Sequence, residues 1–419
     1  MPQDLPHYDV CIIGAGPAGM MAAIAAAAEG ASVCVLEKNS SVGRKLLITG
    51  GGRCNLTHAG GIEDFVRDCF PSGNSLRPAF YALSPEQTLT FFHTHQLKTY
   101  VDEDGCIFPV SERAGDVCRI LLEQLQQAGV AIQYGRAVQV VQKHESGFVV
   151  VTEKHRFSCG GLIVATGGKS WPQTGSTGDG YAIAESFGHS IIPPVGILCP
   201  MVVRESWAGQ LQGLSLEKAA IRMKVKSKTK IYSGKMVFTA DGIGGPVVFD
   251  VSRAAVELLD QQDGVAVTLD FCPDVMREEL GALLIERCAS HPQKEIAGVL
   301  CEWFPRRLSA FLAFQACGEK PVLACAFPKA SRQKLVEAIK TMPLTLVRSG
   351  VLEKATVTRG GVERKEIDWR TMQSRLYEGL YFAGEVVDVD GPCGGYNLQI
   401  AFSTGFLAGK SAAARLRLP

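Results

Sequence analysis

Thirty residues near the N-terminus, DVCIIGAGPAGMMAAIAAAAEGASVCVLEK (9–38), leave little freedom in what this chain folds into. Residues 10–13 form a short apolar run of the kind that is buried on both faces of a parallel sheet. Gly14, Gly16 and Gly19 follow at G-x-G-x-x-G spacing, with Pro17 and Ala18 between the last two. Alanine-rich residues 17–29 predict a helix, closed by Gly30. Residues 32–37 predict a second strand ending on Glu37, 18 residues beyond Gly19. The glycine pattern alone is a weak signal. Strand, helix, second strand and terminal acid together supply the context of a dinucleotide-binding unit.

Each residue type has a physical reason to be there. Gly14 permits the tight turn, Gly16 lets a pyrophosphate approach the backbone, and Gly19 lets helix and strand pack closely. The helix N-terminus offers unpaired N–H groups and about half a positive charge to the phosphates. Glu37 is placed to accept both ribose hydroxyls, and its charge disfavours a 2′-phosphate. This fingerprint does not separate FAD from NAD; three later features favour FAD. Residues 39–55 (NSSVGRKLLITGGGRCN) follow the acid directly and carry the bare run that ends in Gly51 and Gly52, a second backbone cradle for a longer cofactor. With Lys38 just before them, Arg44, Lys45, Arg53, Cys54 and Asn55 complete the candidate contacts here. The strand in GLIVATGGKSWP (161–172) ends in Ala165, Thr166, Gly167 and Gly168, a second close approach. Near the C-terminus LYFAGEVVDVDGPCGGYNLQ (380–399) predicts a strand ending at Gly384 and Glu385, a glycine turn through Gly395, and a helix from about Asn397 and Leu398. In two-dinucleotide flavoproteins such a helix aims its N–H groups at the N1/C2=O edge of the flavin and stabilises the reduced anion.

On the segments GRKLLITGGGRCNLTH, ATGGKSWPQTGSTGDGYAIAESFGH, TVTRGGV and LYFAGEVVDVDGPCGGYNLQIAFSTGFLAG, the chain resembles a bacterial FAD-dependent flavoprotein family. That family contains aminoacetone oxidase, a dehydro-bile-acid reductase and a ribosomal RNA dihydrouridine synthase. The resemblance implies an α/β fold: a two-dinucleotide-binding, glutathione-reductase-like FAD domain with an inserted β-barrel-like domain and a small helical domain. Members usually carry histidine in an F-T-x-x-G segment followed by Ser-Gly-Pro. Here FTADGIGGP puts Ala240 and Gly244 at those positions, so any proton donation by that histidine is missing. Members also often have threonine where Cys393 stands.

The cofactor domain is expected to occupy 1–189 and to return at 355–419. Between these lie a β-rich insertion at 190–273, a helical piece at 274–318, and a return of the insertion at 319–354. A length of 419 residues suits two or three domains at about 150 residues each. An insertion whose ends both meet the parent domain is expected to form a lid or floor over the flavin ring, since ligand pockets favour domain junctions. Within it Arg222, Lys224, Lys226, Lys228 and Lys230 alternate, as if all projected from one strand face, with Lys235 near. Such a face is read as solvated and guarded against edge pairing; the sharper reading is a phosphate-contacting stripe for RNA. Net charge is only +1, which argues against strong global steering toward nucleic acid or membrane. No apolar run reaches the ~20 residues of a membrane span, and the start MPQDLPHYD lacks a basic leader, so a cytoplasmic protein without a membrane role is expected. Fourteen cysteines include no C-x-x-C pair, so neither a metal site nor a dithiol is expected, and most are read as small buried residues.

The chemistry expected is hydride exchange between flavin N5 and a small unsaturated or amine substrate. No second G-x-G-x-x-G is present, so NAD(P)H is read as a transient reductant or as replaced by another donor. Catalytic candidates are Cys54, Cys393 and Tyr396. GGGRCN is similar to the redox-disulfide segment of glutathione-reductase-type enzymes, but the position five residues on is Ala59, which removes the partner thiol. Each cysteine is weighed against plain packing, and Tyr396 against a core aromatic. Two other readings stand beside this one: a reductase of uridine in ribosomal RNA, and a non-catalytic flavin-binding sensor or scaffold.

Overall fold

A computed structural model describes residues 5–348 and 352–417. The chain divides into two compact units: one runs to Gly196 and resumes at Ala355, and the other spans Ile197–Lys354.

The first unit is built on β1 (His7–Ile13), α1 (Pro17–Ala28), β2 (Val33–Glu37), β3 (Ala131–Tyr134), β4 (Arg156–Val164), α2 (Asp179–Ser186), β5 (Leu380–Phe382) and α3 (Tyr396–Arg415). Five of its strands pair in parallel in the order β5–β4–β1–β2–β3. The chain leaves β1 toward β2 on one side, while β4 lies on the other. That reversal places a crevice at the carboxyl ends of β1 and β4, where open α/β sheets bind ligands. The apolar run of the sequence is the reason β1 is central: Val10, Cys11 and Ile12 are fully buried. The first half of β4 also pairs antiparallel with Gly147–Thr152, which pairs in turn with Val138–His144.

Helices α1 and α3 cross backbone to backbone. A Cβ added at Gly405 would lie 2.2 Å from Ala18 O, and one at Gly409 would lie 2.1 Å from Ala22 O. Two glycines four apart share one helix face, so α3 presents a flat stripe to the alanines of α1. This brings the last helix of the chain against the first.

The second unit contains a closed antiparallel barrel. Its strands run in the order Met201–Val203, Gly242–Gly244, Lys228–Phe238, Ser215–Val225, Val265–Asp270 and Met342–Arg348, the first pairing with the last. Helices Arg277–Ser290, Ile296–Leu300, Arg306–Cys317 and Lys329–Lys340 belong to the same unit. The expected lysine stripe does not exist. The segment is a hairpin that turns at Lys226, whose φ is 55°, and Ser227. Directly paired residues share a face. Arg222 pairs with Ile231 and Lys224 with Thr229, whereas Lys228 pairs with Val225 and Lys230 with Met223. The cations therefore fall on opposite faces, and Arg222 is held by Asp270 at 3.0 Å. Alternation read straight through a turn lost the parity of the two strands.

Candidate functional site: a dinucleotide cradle

The three fingerprint glycines differ sharply in what surrounds them. Gly14 has φ 102° and sits against β4's exit loop; an added Cβ would lie 2.6 Å from Ala165 O. At Gly19 a Cβ would lie 1.9 Å from Gly14 O. At Gly16 the same construction meets no described atom within 4 Å. Two of the glycines are consumed by packing, and the middle one faces open space at the N-terminus of α1. Pro17 takes the first helical position, where its missing N–H costs nothing. Ala18 is buried, and a Cβ added at Gly384 would lie 2.8 Å from its methyl.

Glu37 ends β2 beside this loop and is 7% exposed. One of its carboxylate oxygens accepts from Ala15 N at 2.9 Å; the other accepts from Asn39 N and Nδ2 at 2.8 and 2.7 Å. The neighbouring cations brace this corner. Lys38 Nζ donates to Asp179 and Thr177 Oγ1, both at 2.6 Å, and Arg44 Nη1 donates to Asn39 Oδ1 at 2.8 Å.

The second cradle is the triple glycine. Gly50, Gly51 and Gly52 have φ of 57°, 68° and 91°, conformations that favour glycine. At Gly51 an added Cβ meets no described atom within 4 Å. Arg53 lies over the Phe108 ring, 4.4 Å from its centroid, and 3.7 Å from Glu112. Cys54 is fully buried with φ 64°, and burial pushes its thiol up to about 12 against a smaller opposing hydrogen bond from Thr49. Asn55, with its amide oriented by its partners, donates to Thr57 O at 3.1 Å and accepts from Gly395 N at 3.3 Å. It thereby ties this loop to the start of α3.

The exit of β4 meets the C-terminal segment at Glu385. Ala165 N donates to Ile13 O, so the loop begins in register with β1. Thr166 and Gly167 lie at the crevice, the latter at φ 75°. Gly168 packs against Thr358, where a Cβ would lie 2.4 Å from Oγ1. One Glu385 oxygen accepts from Thr358 N at 2.7 Å and Ser170 Oγ at 2.9 Å; the other takes Lys45 Nζ at 2.6 Å. Burial alone would raise the Glu385 pKa; Lys45, the Thr358 N–H and the Ser170 hydroxyl outweigh it and hold the carboxyl below its ordinary range. Thr358 Oγ1 also accepts from Lys169 N and Ser170 N, each at 2.9 Å. Thr358 sits in TVTRGGV and Ser170 in GLIVATGGKSWP, but neither carries charge, and nothing in those segments marks a hydroxyl as a partner of Glu385.

Helix α3 begins at Tyr396, its N-cap Gly395 at φ 95° with no side-chain cap. A Cβ at Gly395 would lie 2.3 Å from Thr57 O. Asn397 Oδ1 accepts from Gly391 N and its Nδ2 donates to Gly391 O, both at 2.9 Å, closing the glycine turn that carries the half-buried Cys393. Leu398 packs on the core of this unit. The Tyr396 ring is 4.8 Å from His58 and 4.6 Å from Phe65, and its hydroxyl donates to Asp68 at 3.3 Å. Burial, then the Asp68 carboxylate, raise its pKa.

Three backbone loops and one uncapped helix start are thus drawn together around one crevice. Open backbone at Gly16 and Gly51, with an acid at the end of β2, fits a dinucleotide with an extension beyond its pyrophosphate. No cluster of three His, Cys, Asp or Glu placed to hold a metal occurs among the described residues, and none of the helices described is long and apolar enough to cross a membrane. Fold and loops together define a class, the Rossmann-type dinucleotide-binding proteins. The HI0933-like protein Rossmann domain family matches residues 8–411, and the chain belongs to this family. It is 33% identical over 408 residues to a 3-dehydro-bile acid delta(4,6)-reductase of Clostridium scindens, covering 96% of this chain and 98% of that protein. It is 29% identical over 404 residues to a ribosomal RNA dihydrouridine synthase of Escherichia coli, covering 96% of each. Among solved structures it matches a 3-ketosteroid delta1-dehydrogenase from Sterolibacterium denitrificans with a TM-score of 0.53 and 14% identity, over 98% of this chain and 100% of that one. That last likeness is one of fold.

Proposed function

We propose that the protein is an FAD-dependent oxidoreductase acting on a small unsaturated or amine substrate, with a double bond conjugated to a carbonyl as the favoured class. The observation that carries the cofactor reading is the bare backbone at Gly16 and Gly51. When bound, FAD supplies hydride exchange at N5 of its ring. The chain's own residues hold and orient. Gly14, Gly16, Pro17, Ala18 and Gly19 form the pyrophosphate cradle, and the α1 N-terminus gives it N–H donors. Glu37 holds the ribose hydroxyls, with Lys38 and Arg44 bracing the corner. Gly51, Gly52, Arg53, Cys54 and Asn55 form one wall of the flavin half; Ala165, Thr166, Gly167, Gly168, Gly384 and Glu385 form another, with Lys45 held on Glu385. The start of α3, at Gly395, Asn397 and Leu398, aims N–H groups and a positive dipole end at negative charge. Tyr396 is the proton-donor candidate we favour. Its hydroxyl lies 3.3 Å from the Asp68 carboxylate, in hydrogen-bond reach. Cys393 stays a candidate as a half-buried thiol in the same turn. Cys54 belongs to packing.

The unsaturated class is favoured by the name of the bile-acid reductase relative. NAD(P)H, docking transiently, is the proposed reductant, and the cytoplasm the proposed setting. The second reading, reduction of uridine in ribosomal RNA, is favoured by the names of the synthase relatives alone. A single panel separates them. Protein reduced anaerobically is mixed with small enones, with imines and with unmodified ribosomal RNA, and the oxidised flavin absorbance is followed. Reoxidation by an enone is the expected result; reoxidation by RNA alone would establish the second reading. A flavin that none of these reoxidises would leave a sensor or scaffold. Cys54→Ala is expected to retain flavin, to remain reducible and to lose about 1 kcal/mol of stability to a small cavity. Abolished turnover with full flavin occupancy would instead make Cys54 catalytic.

A further inference from the structure

Two adjacent residues of one strand hold two different loops of the crevice. Strand Val357–Val362 runs against the segment between Glu385 and Asp390: a Cβ added at Gly361 would lie 2.4 Å from Val386 O, and Gly360 N donates to Asp388 Oδ1 at 3.2 Å. Consecutive strand residues project to opposite faces. Thr358 serves the loop after β4: its hydroxyl takes Lys169 N and Ser170 N, and its own N–H donates to Glu385. Arg359 serves the glycine turn instead. It is 7% exposed, and its fork reaches the fully buried Asp390: Nε donates to Oδ2 at 2.8 Å and Nη2 to Oδ1 at 3.2 Å. The guanidinium carbon lies 4.0 Å from the centre of the Phe70 ring. Phe70 in turn exchanges two backbone hydrogen bonds with Asp390, at 2.7 and 2.9 Å.

Asp390 immediately precedes the turn Gly391, Pro392, Cys393, Gly394, Gly395. Three of those five residues are glycine, so the turn has little stiffness of its own and its shape is imposed at its ends. Asn397 clasps Gly391, and the cluster of Arg359, Asp390 and Phe70 fixes the residue before it. A buried ion pair is weak evidence for stability, since desolvation offsets its attraction; fixing register is its best-attested use. A forked and stacked guanidinium suits that use, because it constrains direction as well as distance. The element so fixed is the start of α3, which follows the turn directly. We infer that Arg359 is a positioning residue for the flavin half of the site: through Asp390 it sets the glycine turn, and with it the aim of the α3 N-terminus. The inference rests on FAD being the resident cofactor and on that helix end facing the flavin.

The test uses the full-length protein and two variants: Arg359→Lys, which keeps the charge and loses the fork, and Asp390→Asn, which keeps one acceptor and loses the charge. FAD and ADP are titrated into each cofactor-free protein, and the midpoint potential of the bound flavin is measured. A displaced helix end should favour reduced over oxidised flavin about 10-fold less, which makes the two-electron potential about 30 mV more negative. FAD should bind about 5- to 10-fold more weakly. ADP, which lacks the flavin half, should bind all three proteins alike. Melting curves establish that each protein is folded during the titration. Potentials that stay at the wild-type value or rise would overturn the inference, whatever the melting temperature, and would make the pair a support of the fold alone. An equal loss of FAD and ADP affinity would overturn it too, as would failure of both variants to fold. A wild type that binds no FAD would refute the cofactor reading itself.

Discussion

Gly16→Val should yield a folded, soluble and colourless protein, whereas Gly19→Val should not fold. The two glycines are three residues apart in one motif, and their substitution should separate cofactor binding from stability. Gly16 has φ −79° and ψ −177°, a conformation open to valine, and its Cβ direction meets no described atom within 4 Å. Its valine should therefore change unfolding free energy by no more than about 1 kcal/mol. It would occupy the pyrophosphate's approach, so FAD affinity should fall at least about 100-fold, the loss of several charge-assisted hydrogen bonds. At Gly19 the added carbon would lie 1.9 Å from Gly14 O, in backbone that cannot move without unseating α1 from β1. A loss exceeding about 5 kcal/mol is expected, as much as the whole stability of a marginal domain. Flavin content and urea unfolding read both arms. A yellow Gly16→Val protein would refute the placement of the pyrophosphate.

Glu385→Gln is the second large effect. The change leaves Lys45 without its counter-charge at a site where both side chains are 20% exposed. Breaking a buried pair from one side costs about 3–5 kcal/mol, and the partial exposure places this one near about 3 kcal/mol. The pH dependence has a definite sign. Glu385's folded pKa is lowered from its ordinary 4.5, because Lys45 and the hydrogen-bond donors outweigh burial. The charged form therefore stabilises the fold above pH 4.5, and the contribution is lost as pH falls through the folded value. The stability gap between wild type and Glu385→Gln should be full at neutral pH and should close below pH 4.5. A gap that widened on acidification would contradict the assignment of the charge to this pair.

The sequence made the parallel core legible because its signals are local. Gly14, Gly16 and Gly19 follow a short apolar run and precede an alanine helix, so one window holds turn, helix and strand together. The insertion showed as a change from buried runs to alternating residues. What remained hidden depends on contacts distant along the chain. Lys45 and Glu385 are 340 residues apart, and nothing in either neighbourhood marks the other as its partner. Thr358 and Ser170 are small uncharged residues inside TVTRGGV and GLIVATGGKSWP, where nothing shows that they meet to close the loop after β4. Gly405 and Gly409 were legible in principle, since small residues four apart make a flat helix face. The lysine stripe failed for a geometric reason: a two-residue turn reversed the strand, and side-chain parity changed with it.

The most direct measurement is an equilibrium titration of FAD into the cofactor-free chain, followed by anaerobic reduction and addition of a conjugated enone. One FAD per chain, bleaching of its visible band by the reductant, and recovery of that band in proportion to the enone added are the predicted results. A chain that binds no flavin, or a bound flavin that reductant and enone leave unchanged, would contradict an FAD-dependent oxidoreductase.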